Sequence, residues 1–107
     1  MDNLTNVLGA VSHPSRRAIL DRLARGPARV TEIAEPFDMS LNAVSKHLKV
    51  LESAGLIERE VVGREHLIGL RAAPLREVST WVLEYERFWT EHLDRVEKYF
   101  KEKRKGK

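Results

Sequence analysis

Apolar residues recur at helical spacing from the start of the chain. Leu4, Val7, Leu8 and Val11 share one face of the segment 3–11, which predicts a short amphipathic helix. Ser12-His13-Pro14 closes it, and Pro14 suits the first position of a second helix, where its missing N–H leaves no bond unmade. That second helix, about 14–25, turns Ile19, Leu20 and Leu23 inward and stops at Gly26-Pro27. Thr31 is placed to cap a third, very short helix over 32–37. Pro36 interrupts its hydrogen-bond ladder, and Asp38 is expected to adopt a left-handed turn conformation. Ser40 opens a fourth helix, 41–54, with Val44, Leu48 and Leu51 along one stripe and Gly55 as its C-terminal cap.

Only a short turn fits between the third and fourth helices, so together they form a helix-turn-helix. Two strand-like runs follow, LIEREVV and EHLIGL, separated by Gly63-Arg64, which reads as a β-hairpin with a tight, basic tip. From Pro74 to about Phe100 runs one long helix with Val78, Trp81, Tyr85, Phe88, Trp89, His92, Val96 and Tyr99 on one side. No internal repeat or linker divides the chain. The expected architecture is mostly α with a β-hairpin wing (α+β), a winged helix-turn-helix in the order α-α-α-α-β-β-α. It forms one domain over 1–100, followed by a basic and flexible tail, 101–107.

Composition narrows the function. The chain has 107 residues, 42% hydrophobic and 33% charged, which suits a single soluble domain with a modest core. It has no cysteine, which removes disulfides, thiolate metal sites, catalytic thiols and thiol-based redox sensing. No apolar run approaches the ~20 residues that span a bilayer, and the N-terminal stretch lacks the pattern of a secretory signal. A cytoplasmic protein without membrane contact is expected. The net charge of +3 is unevenly spread. Arg16, Arg17, Arg22, Arg25 and Arg29 crowd residues 12–31 against Asp21 alone, the tail reads KEKRKGK, and the segment 72–100 is acidic. A basic front and an acidic helix behind it point to a polyanion on one face.

The fourth helix has the layout of a DNA-reading helix. Its core stripe leaves Asn42, Ser45, Lys46 and Lys49 pointing outward, with His47 on the same helix. Asn42 suits adenine, and Lys46 suits O6 and N7 of guanine. Thr31 and Ser40 sit at helix N-termini, whose free N–H groups favour phosphate. Arg64 at the hairpin tip and Arg59 on a strand suit a flanking phosphate or the minor groove. These residues form the expected interface with double-stranded DNA.

The runs HPSRRAILDRLARG, VTEIAEPFDMSLNAVSKHLKVLESAGLIERE and VVGREHLIGL resemble the ArsR/SmtB family of bacterial winged-helix repressors over about residues 3–100. SLNAVSKHLKVLESAGLI is the most specific part. The resemblance implies a homodimer, built from the first and last helices, that binds an imperfect inverted repeat near its own promoter and blocks transcription until a signal releases it. Arg16 matches the arginine of the family's Pro-x-Arg turn and is read as a structural ion-pair or capping residue. Asn42 stands where relatives often have proline, which leaves the base preference there open.

Sequence physics also points to a dimer. One side of the last helix is too apolar to stand in water, and a self-complementary two-fold interface is the economical cover. Trp81, Tyr85, Phe88, Trp89 and His92 would meet there, with Leu4, Val7, Leu8 and Val11 filling the other side; a ligand pocket between subunits is the alternative use of the aromatics. No metal site is expected. Family members that sense thiophilic metals use cysteines, and others use an Asp-x-His pair with His-x-x-Glu or His-x-x-His on the last helix. Here Arg95 stands three residues after His92, and His13, His47 and His66 fall on a cap, the fourth helix and the hairpin. No cofactor or inducer is evident, and no glycine-rich phosphate loop or nucleophile elbow suggests an enzyme. Two other readings stay open: a protein-interaction module using the acidic face of Glu77, Glu84 and Glu91, and a nonspecific DNA binder. Binding of single strands is disfavoured, because Phe37 is the sole aromatic in 1–80.

Overall fold

The computed structural model describes residues 2–105. Helix α1 (Asn3–Ala10) starts at Asp2, whose carboxylate accepts the Thr5 N–H at 2.7 Å. That bond holds the Asp2 carboxyl below its ordinary pKa. Helix α2 (Pro14–Leu23) has Pro14 in its first turn, and the His13 ring accepts the Ser15 N–H at 3.1 Å through Nδ1. It ends before Gly26, whose φ of 141° only glycine takes without strain.

The chain then does something its pattern did not announce. Ala28–Arg29 form a strand, β1, that pairs antiparallel with a later strand: Ala28 faces Ile68 and Arg29 faces Leu67. Two residues carry no period, so no sequence signal marked it. Pairing holds Arg29 extended, and helix α3 (Val30–Ala34) therefore begins at the next residue. The Glu32 carboxylate accepts the Arg29 N–H at 3.1 Å, which closes the helix start. Thr31, expected as the cap of a helix over 32–37, thus lies inside the first turn of an earlier helix.

Asp38 needs a correction too. Among the described residues only glycines have positive φ, so Asp38 is not left-handed. The turn after α3 is closed by the Phe37 N–H donating to the Ala34 carbonyl at 3.0 Å, a right-handed arrangement that needs no such residue.

Helix α4 (Leu41–Ser53) follows the expected chemistry at both ends. The Ser40 hydroxyl accepts the Ala43 N–H at 3.1 Å. At the other end Gly55, at φ 77°, donates to the Glu52 carbonyl and Leu56 to the Leu51 carbonyl, both at 3.0 Å. These two bonds make a complete Schellman motif.

Strands β2 (Ile57–Val62) and β3 (Glu65–Leu70) form the hairpin, in register from Val62–Glu65 to Ile57–Leu70. Of the two loop residues only Gly63 has positive φ, as a type II′ turn requires. The sheet order is β1-β3-β2.

Val7, Ile19, Ile33, Val44, Leu48, Leu51, Leu56 and Ile68 are fully buried and unite α1 to α4 with the sheet in one core. Val7, expected at a dimer interface, belongs to this core and has no surface left for a partner. Leu4 and Leu8 are half-buried, as is Val11, which packs against the core.

Helix α5 (Ala73–Lys105) is 33 residues long, which is about 50 Å. It docks through its first turns: Leu75 and Val78 pack on the core, and the Asn3 amide donates to the Glu77 carboxylate at 3.3 Å. It runs past the expected end at Phe100 through most of the basic tail. Lys, Glu and Arg are strong helix formers, and bases at a helix C-terminus are favoured by its dipole. Residues 106–107 of the tail lie outside the described residues. From residue 79 on, only His92 is half-buried and the other described side chains are exposed. The helix projects from the domain and stretches the protomer to 72 × 27 × 26 Å.

Candidate nucleic-acid interface

Helix α4 is divided sharply between two faces. Val44, Leu48 and Leu51 are fully buried, and the opposite stripe exposes Asn42, Lys46 and Lys49. Ser45 is half-buried on one flank. Among the described residues Lys46 and Lys49 make no salt bridge, so their charge is directed to solvent. Leu41, beside the Ser40 cap, is 52% exposed. An apolar side chain left in water at the start of this helix is a feature that sequence reasoning passed over. Leu41 lies three residues before Val44, in period with the core stripe, so no sequence signal marked its exposure.

The wing carries its charges differently. Arg64 is exposed at the tip, and a shallow groove is lined by Arg64, Glu65 and His66 on the hairpin and by Arg29, Val30 and Thr31 opposite. Thr31 and Arg64, far apart in sequence, are thereby brought together. The Arg29 guanidinium sits 2.8 Å from the Glu65 carboxylate and fastens the wing to the start of α3.

Arg59 is not free in the same way. It faces Ile68 across the ladder, on the side of the sheet turned toward the core. There its Nε lies 3.4 Å from the Glu52 carboxylate at the end of α4, and its guanidinium meets His66 Nδ1 at 3.2 Å. Its charge is already matched within the protomer.

His47 is also turned away from the outer stripe of α4. Its ring is half-buried, tilted against His13 with centroids 4.6 Å apart, and its Nδ1 lies 3.3 Å from an Arg16 nitrogen. An arginine only donates, so Nδ1 must be the acceptor and the ring neutral. Desolvation lowers the His47 pKa, and the His13 and Arg16 charges lower it further. Arg16 in turn donates to the Ala10 carbonyl at 2.6 Å and the Gly9 carbonyl at 3.2 Å, capping α1. Among the described residues it makes no ion pair, and its bonds are to these two carbonyls and to His47.

Along α5 the aromatics form a continuous stack. Trp81 and Tyr85 are 5.3 Å apart, Phe88 and Trp89 5.9 Å, and Phe88 and His92 4.0 Å with nearly parallel rings. His92 Nδ1 is 2.9 Å from the Phe88 carbonyl, so a ring nitrogen is already spent within the helix. Among the described residues no group of three or more His, Cys, Asp or Glu side chains is arranged to hold a metal ion. No helix among them is long and apolar enough to cross a membrane.

A family model described as "Helix-turn-helix domain" matches residues 11–60, from the end of α1 to the middle of β2. Two characterised relatives align over most of the chain. The HTH-type transcriptional regulator Rv2034 of Mycobacterium tuberculosis is 39% identical, covering 78% of this chain and 76% of that protein. The transcriptional repressor SdpR of Bacillus subtilis is 34% identical, covering 77% and 91%. Two solved structures share the fold. One, the ArsR family transcriptional regulator RHA00566, superposes with a TM-score of 0.79 at 38% identity, over 83% of this chain and 98% of that one. The other is the homodimeric winged helix-turn-helix DNA-binding domain of Mb0332 from Mycobacterium bovis. It gives 0.65 at 28% identity, over 85% and 84%.

Proposed function

The chain belongs to the ArsR family of winged helix-turn-helix transcriptional regulators, and from that premise we propose that it is a homodimeric repressor of an inverted-repeat operator, working without a resident metal. The observation that carries this reading is the split of α4, with a buried apolar stripe and an outer stripe of exposed Asn42, Lys46 and Lys49, whose lysines make no ion pair among the described residues. A helix with this layout enters the major groove by its N-terminal half. Lys46 and Asn42 read base edges, and Leu41 offers an apolar contact to a thymine methyl. Ser45 and Lys49 flank them, the Ser40 end of the helix favours phosphate, and Thr31 and Arg64 approach the backbone beside it. Arg59 acts indirectly, through Glu52 and His66, and leaves the direct wing contact to Arg64.

The dimer is supported by the aromatic face of α5. Trp81, Tyr85, Phe88 and Trp89 are each about half exposed on the protomer, an unstable arrangement in water for so large a contiguous surface. The likeness to a homodimeric domain in Mb0332 supports the same assembly. Leu4, Leu8, Val11 and His92 line the rest of the interface. A two-fold axis there sets the two α4 helices in successive major grooves, about 34 Å apart.

Footprinting on the gene's own upstream intergenic DNA, with excess random competitor and with zinc or chelator added, tests the reading. A protected inverted repeat indifferent to metal is the expected result. Protection no better than on random DNA would overturn it in favour of a nonspecific binder or a protein-interaction module.

A further inference from the structure

The corner between α1 and α2 touches the recognition helix through one polar contact, and that contact has an unusual chemistry. Arg16 holds three acceptors at once. Two are main-chain carbonyls at the end of α1, Ala10 and Gly9, and the third is the ring nitrogen Nδ1 of His47 on α4. The same guanidinium therefore ties the helix that helps form the dimer to the helix that meets DNA. Among the described residues no other side chain of α4 is hydrogen-bonded to α1 or α2.

We propose that His47 is a positioning residue for operator binding: its neutral ring accepts from Arg16 and thereby sets α4 against the end of α1. The inference rests on the repressor reading. In a dimer through α1 and α5, the spacing of the two α4 helices depends on how each is seated on its own α1. A few tenths of an ångström or a small rotation at His47 is carried to both half-sites. His47 does not touch DNA in this role; it acts through the placement of Asn42, Lys46 and Lys49.

Protonation breaks the contact in two ways. Both ring nitrogens of an imidazolium are donors, so Nδ1 no longer accepts from Arg16. The new charge also lies beside the guanidinium and against the His13 ring. His13 is the N-cap of α2, with its own Nδ1 occupied by the Ser15 N–H. The titratable and charged groups acting on the His47 ring are these two, His13 and Arg16, both from the α1–α2 corner. Arg17 beside them is turned to the Val11 carbonyl at 2.7 Å. Glu32 of α3 and Glu58, Arg59 and Glu60 of β2, the other elements packed on α4, are not among the groups acting on it. Among the described residues no carboxylate, Asp21 of α2 included, is among the groups acting on the ring, and the seat of α4 loosens as it titrates.

Two substitutions separate positioning from bulk. Asn carries its side-chain oxygen at the branch where His carries Nδ1, so His47→Asn keeps an acceptor for Arg16 and cannot titrate. His47→Leu keeps the branched shape and loses the acceptor. The probe is the footprinted upstream duplex, with binding measured from pH 7.5 to about 5.5 and folding checked by circular dichroism. Wild-type affinity is expected to fall by roughly threefold to tenfold across that range. The Asn variant should bind like wild type at pH 7.5 and lose much less below it, and the Leu variant should bind weakly throughout. Identical pH profiles for wild type and Asn, or wild-type affinity in the Leu variant, would overturn the proposal. A second readout needs no DNA: amide resonances at the end of α1 (Ala10 and Val11), in the peptides whose carbonyls Arg16 holds, should shift with the His47 titration in wild type and stay still in the Asn variant. A wild-type protein that binds no DNA at any pH would sink the repressor reading alone. Positioning would then stand or fall on those resonances.

Discussion

A single side chain on α4 answers a question about charge and a question about geometry, and the two need not agree. Lys46 is exposed, unpaired and opposite the core stripe, so Lys46→Ala should weaken specific binding by about 1–3 kcal/mol and relax preference at one base pair. Arg64→Ala should weaken all duplexes more evenly and flatten the salt dependence, as loss of a phosphate contact does. A competition titration on operator and random DNA checks both. Equal losses on the two duplexes for Lys46→Ala would remove it from base readout. His47 shows the opposite case, a polar residue on the same helix whose ring is turned inward. Its pKa is lowered from 6.5, by desolvation first and by His13 and Arg16 next. The unfolded chain therefore binds the proton more readily than the folded one. Stability from this residue is present in full above pH 6.5 and is lost as pH falls through the lowered value. Urea midpoints taken at pH 7.5 and 5.5 should differ less for His47→Asn than for wild type, because the variant has nothing to titrate there.

At the level of elements, α4 was readable because its local chemistry and its burial pattern agree. A serine cap, a three-residue apolar stripe and a glycine stop all describe the same helix, and each is found in place. Ser40→Ala should cost about 1 kcal/mol of stability, measured by denaturant titration. Gly55→Ala should cost more than the usual glycine-to-alanine change, because φ is 77° there. The region from 28 to 38 was read less well for a physical reason. Strand β1 is two residues long and exists because β3 offers it an edge. Its pairing moves the start of α3 to Val30, and the tight bond after Ala34 removes any need for a left-handed Asp38. Long-range pairing set both boundaries, and neither leaves a local trace.

At the scale of the whole molecule the protomer is two objects, a packed winged domain and a helix that leaves it. The domain satisfies itself: its core is closed, and no buried side-chain donor or acceptor among the described residues lacks a partner. Helix α5 does not, since its aromatic stack faces water along most of its length. Phe88→Glu should give monomers by sedimentation, with greatly weakened operator binding. The winged domain should stay folded, because Phe88 touches none of its core. A stable dimer in that variant would place the interface elsewhere. Covering half the exposed surface of four such aromatics removes several hundred Å² of apolar area from water across two protomers, which favours association at about 25 cal/mol per Å². That figure stands before the cost of lost translational and rotational freedom, so the rest of α5 and α1 must contribute to the interface as well.

The amino-acid order alone determined the helix spans to within a few residues, the hairpin and its tip, and the core stripe of α4. Those features depend on period, caps and glycine conformations, all of which are local. It also located the outward cations of α4, since a helix with one buried stripe has a defined opposite side. Tertiary structure decided what local rules do not reach. It consumed Val7 in the protomer's own core, matched Arg59 to Glu52, and turned His47 toward Arg16. Each of these outcomes depends on which distant group lies within a few ångströms, and only the packed chain brings those groups together.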